Sequence, residues 1–71
     1  MATPVNAPMV GKVLRIVASV GDELQEDDTV IVMEAMKMEI EVAAPASGKV
    51  TEIRVAVGDS VDPDSVVAVI E

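Results

Sequence analysis

Along this chain hydrophobic and polar positions alternate with a period of two in short bursts, the pattern of strands with one buried face. Ile16, Ala18 and Val20 form one burst and Ile53, Val55 and Val57 another, each ending at a Gly-Asp pair that reads as a turn. Further strands are predicted over Thr29 to Met33 and over Val66 to Ile70. Each follows a turn-forming run, Glu26-Asp27-Asp28 in the first case and Asp62-Pro63-Asp64 in the second. The spacing of three from Val13 to Ile16, repeated from Val50 to Ile53, breaks the alternation and predicts a bulge.

These signals come in two copies. Shifting the sequence by 37 positions lays Ala7 to Glu34 over Ala44 to Glu71 without a gap, with 13 of 28 positions identical. The matches include turn residues (Ala7-Pro8, Gly11, Gly21-Asp22 and Asp27) and apolar ones (Val13, Ile16, Val20, Val30 and Val32). The expectation is an all-β domain over residues 1–71, with repeat halves 7–34 and 44–71 joined by a link at 35–43. Its sheets form a flattened β-barrel or sandwich of two four-stranded antiparallel sheets with internal pseudo-twofold symmetry. Val13, Ile16, Val20, Val30 and Val32 are expected to meet Val50, Ile53, Val57, Val67 and Val69 inside. Gly11, Gly21, Gly48 and Gly58 read as turn positions.

The link, AMKMEIEVA, sets local propensity against pattern. Glu34 to Glu39 favours a helix, but Met36, Met38, Ile40 and Val42 alternate strictly with Lys37, Glu39 and Glu41. Because Met33-Glu34 matches Ile70-Glu71 at the end of a β-like run, the link is expected to enter and leave as a strand, turning near Met36-Lys37. Lys37 then sits at an exposed hairpin tip, near the pseudo-twofold axis, with both termini at the opposite end. It is the sole basic residue between Ile16 and Gly48. Two methionines bracketing a lysine at a tip are not explained as core filler.

Composition removes most alternatives. The chain has no Phe, Tyr, Trp, His or Cys, so a thiol nucleophile, a disulfide, a thiolate metal site and a histidine base are all excluded. A net charge of −8 and no base-stacking aromatic argue against nucleic acid. No apolar run approaches the roughly 18 residues of a membrane span, and the first residues lack signal-peptide character, so a cytoplasmic protein is expected. The acidic run Asp22, Glu23, Glu26, Asp27 and Asp28 lacks EF-hand spacing and reads as a solvated turn. Lys12 and Lys49 follow glycines but no phosphate-loop motif.

Glu34-Ala35-Met36-Lys37-Met38-Glu39 resembles the biotin attachment signature Glu-Ala-Met-Lys-Met. The repeats flanking it are similar to those of the biotinyl/lipoyl attachment domain family, over Val5 to Glu71. The resemblance implies a barrel-sandwich hybrid fold and biotin joined as an amide to Lys37 by a biotin protein ligase, with Glu34, Ala35, Met36 and Met38 flanking that cofactor-bearing residue. It implies a non-catalytic carboxyl carrier serving biotin carboxylase and carboxyltransferase subunits or domains of a carboxylase, decarboxylase or transcarboxylase. A larger eukaryotic parent chain would place it in the mitochondrial matrix instead. Lipoyl domains share the fold but usually carry Asp-Lys-Ala at the turn, so a lipoyl carrier is the alternative. The gapless repeat has no room for the extra loop of many bacterial acetyl-CoA carboxylase carriers. Related domains often have Gly where Asp27 and Asp64 stand, and Asp is expected to take up the same left-handed turn.

Overall fold

The computed structural model describes residues 2–71, and the described residues contain strands and turns only. Eight strands follow in order: β1 (Thr3–Asn6), β2 (Gly11–Ile16), β3 (Glu23–Leu24), β4 (Thr29–Ala35), β5 (Met38–Ala43), β6 (Gly48–Ile53), β7 (Ser60–Val61) and β8 (Val66–Ile70). They form two four-stranded antiparallel sheets, ordered β1-β8-β6-β3 and β5-β4-β2-β7. Exchanging β1 with β5, β2 with β6, β3 with β7 and β4 with β8 converts one sheet order into the other, which is the expected twofold pseudo-symmetry.

The hydrogen bonds obey the same operation. Val13 N–H donates to the Asp59 carbonyl as Val50 N–H does to that of Asp22, both at 2.9 Å, so each half is stapled to the other. Asp22 Oδ2 accepts from Ser19 N–H and Asp59 Oδ2 from Ala56 N–H, again both at 2.9 Å. The predicted bulges are present, with register shifts between Val13 and Arg15 and between Val50 and Glu52. The structural repeat is longer than the one read from sequence. Glu41 faces Val32 as Pro4 faces Val69, so β1 is the twin of the second part of the link.

The inward rows are Ile31, Met33 and Ala35 on β4 and Ala68 and Ile70 on β8. They pack with Val5, Val13, Val42, Val50 and the bulge residues Val30 and Val67 into one core. Each large side chain among these contributes roughly 1.5–3 kcal/mol through its removal from water. Ile16 and Ile53 pack against that core half-buried.

Four expected core positions differ. Val20 and Val57 are 62% and 63% exposed, because β2 and β6 end at Ile16 and Ile53 and the chain leaves the ladder before reaching them. Val17 and Ala18 both donate to the Val30 carbonyl at 3.0 Å, which turns the segment off the sheet edge. Val32 and Val69 are buried, yet on the outer face. Their ladder neighbours are Arg15 and Glu41 in one case and Glu52 and Pro4 in the other, whose stems shield them.

The glycines also divide. Gly21 and Gly58 have φ of 98° and 95° and serve as turns. Gly11 and Gly48 instead open strands at close crossings: a Cβ on Gly11 would lie 2.5 Å from Met33 Cε, and one on Gly48 2.6 Å from Ile70 Cγ2. Asp27 takes the left-handed conformation expected of it, with φ of 77°. Asp64 does not, because Pro63 before it and an N–H bond from Asp64 to Asp62 Oδ1 (2.9 Å) shape that turn differently.

Candidate functional site

The hairpin β4–β5 closes with Ala35 paired to Met38, leaving Met36 and Lys37 as a two-residue turn. Their φ values of 52° and 63° are both left-handed, the type I′ arrangement whose twist matches that of the strands. The usual occupants of such a turn are Asn and Gly; a side chain with a Cβ in this region costs roughly 1–3 kcal/mol.

The base of the turn is rigid. Ala35 is buried, and a Cβ on Gly11 would approach its Cβ to 3.2 Å, so β2 clamps the end of β4. Above that clamp everything is exposed: Met36 at 85%, Met38 at 64%, and Lys37, Glu34 and Glu39 as well. Among the described residues the Lys37 ammonium has no ion-pair partner. Glu34 lies directly across the ladder from Glu39 on one side and from Lys12 on the other. Like charges so placed oppose pairing. The Arg15–Glu39 contact at 3.3 Å relieves this only weakly, both side chains being more than half exposed.

The topology places this tip at one end of a body measuring 32 × 18 × 17 Å. β7 pairs with Gly11-Lys12 beside the tip, and β8 runs from there to Ile70, opposite Thr3. The first and last strands therefore meet at the far end, as expected. Lys37 is not near the pseudo-twofold axis, because the operation carries the tip to that far end and its axis crosses the middle of the body.

The other sequence candidates serve turns and strand starts. Asp22 and Asp28 accept backbone N–H bonds of 2.9 Å from Ser19 and Gln25, and no group of three potential metal ligands occurs among the described residues. Lys12 and Lys49 are twins near the starts of β2 and β6, held in the ladder rather than at a tip. Sequence reasoning missed Met9 and Val10, exposed residues that lead into Gly11 beside the tip. The available signal was their mismatch with Ala46 and Ser47 in the repeat.

Among the described residues, then, a small β-module presents an exposed lysine on a tight two-residue hairpin. The chain belongs to the biotin/lipoyl attachment family: the family model described as "Biotin-requiring enzyme" matches residues 3–70. It is 48% identical over 42 residues to a biotinylated protein TB7.3 homolog of Mycolicibacterium smegmatis, a match covering 59% of each chain. It is 43% identical over 42 residues to the methylmalonyl-CoA decarboxylase subunit gamma of Veillonella parvula, covering 59% of this chain and 33% of that one. Among solved structures, the Kluyveromyces lactis urea carboxylase superposes on 100% of this chain with a TM-score of 0.94 and 41% identity, through 6% of its own length. The matched stretches thus span between 6% and 59% of these relatives' own lengths.

Proposed function

We propose that the protein is a biotin carboxyl carrier in which Lys37 holds biotin as an amide, and that residues 1–71 act as one carrier domain with 35–43 as the attachment hairpin. The observation that carries this reading is Lys37 itself. It stands in a costly left-handed turn, within Glu34-Ala35-Met36-Lys37-Met38, on a family module that leaves its amine exposed and unpaired. Biotin, when bound, supplies a ring nitrogen that takes up and releases a carboxyl group.

The residues present fit such a group. In the attachment step, in the active site of a biotin protein ligase, the Lys37 ammonium gives up one proton to become an amine, Nζ bonds to the activated biotin carboxyl carbon and gives up a second proton, and the activating group leaves that carbon with the electron pair of its bond. The formal net charge goes from −8 to −9, one cation fewer. The Ala35–Gly11 clamp fixes the base of the arm, and the absence of His and Cys leaves the acid–base chemistry to the partners. Tethering converts the second encounter into an intramolecular one, so effective concentration replaces free diffusion. The partners are carboxylase-type subunits or domains, a biotin carboxylase and a carboxyltransferase, and the compartment is the cytoplasm.

Co-expression with a biotin ligase, then intact-mass analysis and peptide mapping, tests this. One biotin adduct on the Lys37 peptide is expected. A lipoyl adduct formed by a lipoate ligase in preference to biotin, or no adduct on Lys37, would overturn it.

A further inference from the structure

The internal repeat gives almost every position a structural twin, so unequal twins mark what the fold does not require. Among the described residues seven large apolar side chains are exposed: Met9, Val10, Val17, Val20, Met36, Met38 and Val57. Val20 and Val57 are twins and cancel. Val17 stands alone where the chain leaves the sheet, an ordinary solitary exposure. The remaining four gather at one end.

Met36 and Met38 flank Lys37, and Met9-Val10 leads directly into Gly11. The β2–β4 register, with Lys12 opposite Glu34, carries Gly11 alongside Ala35 and the preceding residues alongside the turn. A Cβ on Gly11 would touch Met33 and Ala35 and run into the Glu34 carbonyl, which confirms how close the crossing is. At the other end Gly48 crosses Ile70 and Glu71 in the same way, but the twins of Met9 and Val10 there are Ala46 and Ser47. Val10 is 71% exposed and Met9 36%. The same backbone is therefore covered by small or polar side chains at one end and by exposed apolar ones at the end that carries the lysine.

We infer that Met9 and Val10 extend the apolar surface of Met36 and Met38 into a docking patch for the ligase that acylates Lys37. This rests on the proposed biotin attachment and adds a recognition segment far from the attachment motif in sequence. The choice of occupant follows from reach. Before modification only the lysine stem projects from the tip, so Nζ can enter an active site only if the surface around the turn is pressed against the enzyme. After modification the arm is longer and that surface can stand further off. Glu34 with Lys12 across the ladder, and Glu39 with Arg15 at 3.3 Å, give the patch a rim of paired charges, so the matching ligase surface is an apolar depression edged by polar groups of both signs, on an enzyme that tolerates a chain of net charge −8.

The twins supply the test. Met9→Ala with Val10→Ser installs the residues that the fold already carries at 46 and 47, and Ala46→Met with Ser47→Val does the reverse at the far end. Ligation is followed with biotin, ATP and ligase, with thermal unfolding measured in parallel. The first variant is expected to lose about tenfold in kcat/KM, mostly through KM, with its unfolding curve unchanged; the second is expected to ligate like the parent. Ligation by the first variant at the parental rate would overturn the inference, whether or not carboxylation of the loaded chain then falls, since such a fall would assign the patch to the carboxylase. A parent chain that accepts no biotin at all would instead overturn the proposed function.

Discussion

At one end of the body β4 and β5 are joined through Met36 and Lys37. At the other, β8 and β1 lie in the same register, Thr3 opposite Ile70 as Ile40 is opposite Met33, but no turn joins them there. Both ends have a glycine crossing and the same strand geometry. Among the described residues, the lysine end carries two consecutive left-handed residues with side chains, a facing pair of glutamates and a set of exposed methionines. Each of these opposes folding or solubility.

The largest effect that could break this contrast is all-or-none. Lys37→Arg should fold like the parent and accept no biotin, because a guanidinium cannot form the amide. Intact mass after co-expression would show it, and an adduct on the Arg variant or on Lys12 or Lys49 of the parent would mean the site is elsewhere. Next come the two crossings. Gly11→Ala and Gly48→Ala each force an overpacked contact and should cost roughly 1–3 kcal/mol in urea denaturation, with Gly48→Ala the costlier because its φ of 157° adds backbone strain. Only Gly11→Ala should also slow ligation of the folded fraction, since only that crossing holds the base of the attachment turn.

A smaller change of opposite sign is expected when the turn is relieved. Met36→Asn with Lys37→Gly gives the residues a type I′ turn prefers and should raise stability by about 1–2 kcal/mol, at the loss of all biotinylation. An unchanged or lowered unfolding midpoint would mean that the tip stores no strain. The smallest effect concerns Met36→Leu and Met38→Leu. These swaps conserve volume and apolar surface, so they should leave stability within about 0.5 kcal/mol and slow ligation by no more than about twofold. Urea denaturation and ligation rates would decide, and a loss of ligation as large as that of the Met9→Ala with Val10→Ser variant would mean that the shape of the methionines, and not their apolar area, is what the ligase meets.

Most of the fold was legible because its determinants are local or repeated. The bulges followed from the broken alternation at Val13–Ile16 and Val50–Ile53, and the hairpin from strict period two across a helix-favouring segment. What was not legible depends on where a strand leaves its sheet. Val20 and Val57 continue the apolar alternation past the last ladder bond, so pattern alone could not tell burial from exposure. Val32 and Val69 alternate to the outer face and are shielded only by cross-strand neighbours distant in sequence. Gly11 and Gly48 looked like turn residues because a close crossing leaves no local mark. Of the site, the motif fixed the hairpin, but Met9 and Val10 come beside Lys37 only once β2 and β4 are paired.

The strand order also has a consequence in time. The sheet that carries the hairpin is completed by β7, and the opposing sheet has β8 at its interior, between β1 and β6. Neither layer can close until nearly the whole chain is present, and such non-local pairing is intrinsically slow. Lys37 lies near the middle of the sequence, so it is synthesised early and presented late. On the proposed function, a chain truncated before β8 should therefore be a poor ligase substrate, which ligation of a fragment ending at residue 65 beside the full 71 residues would show.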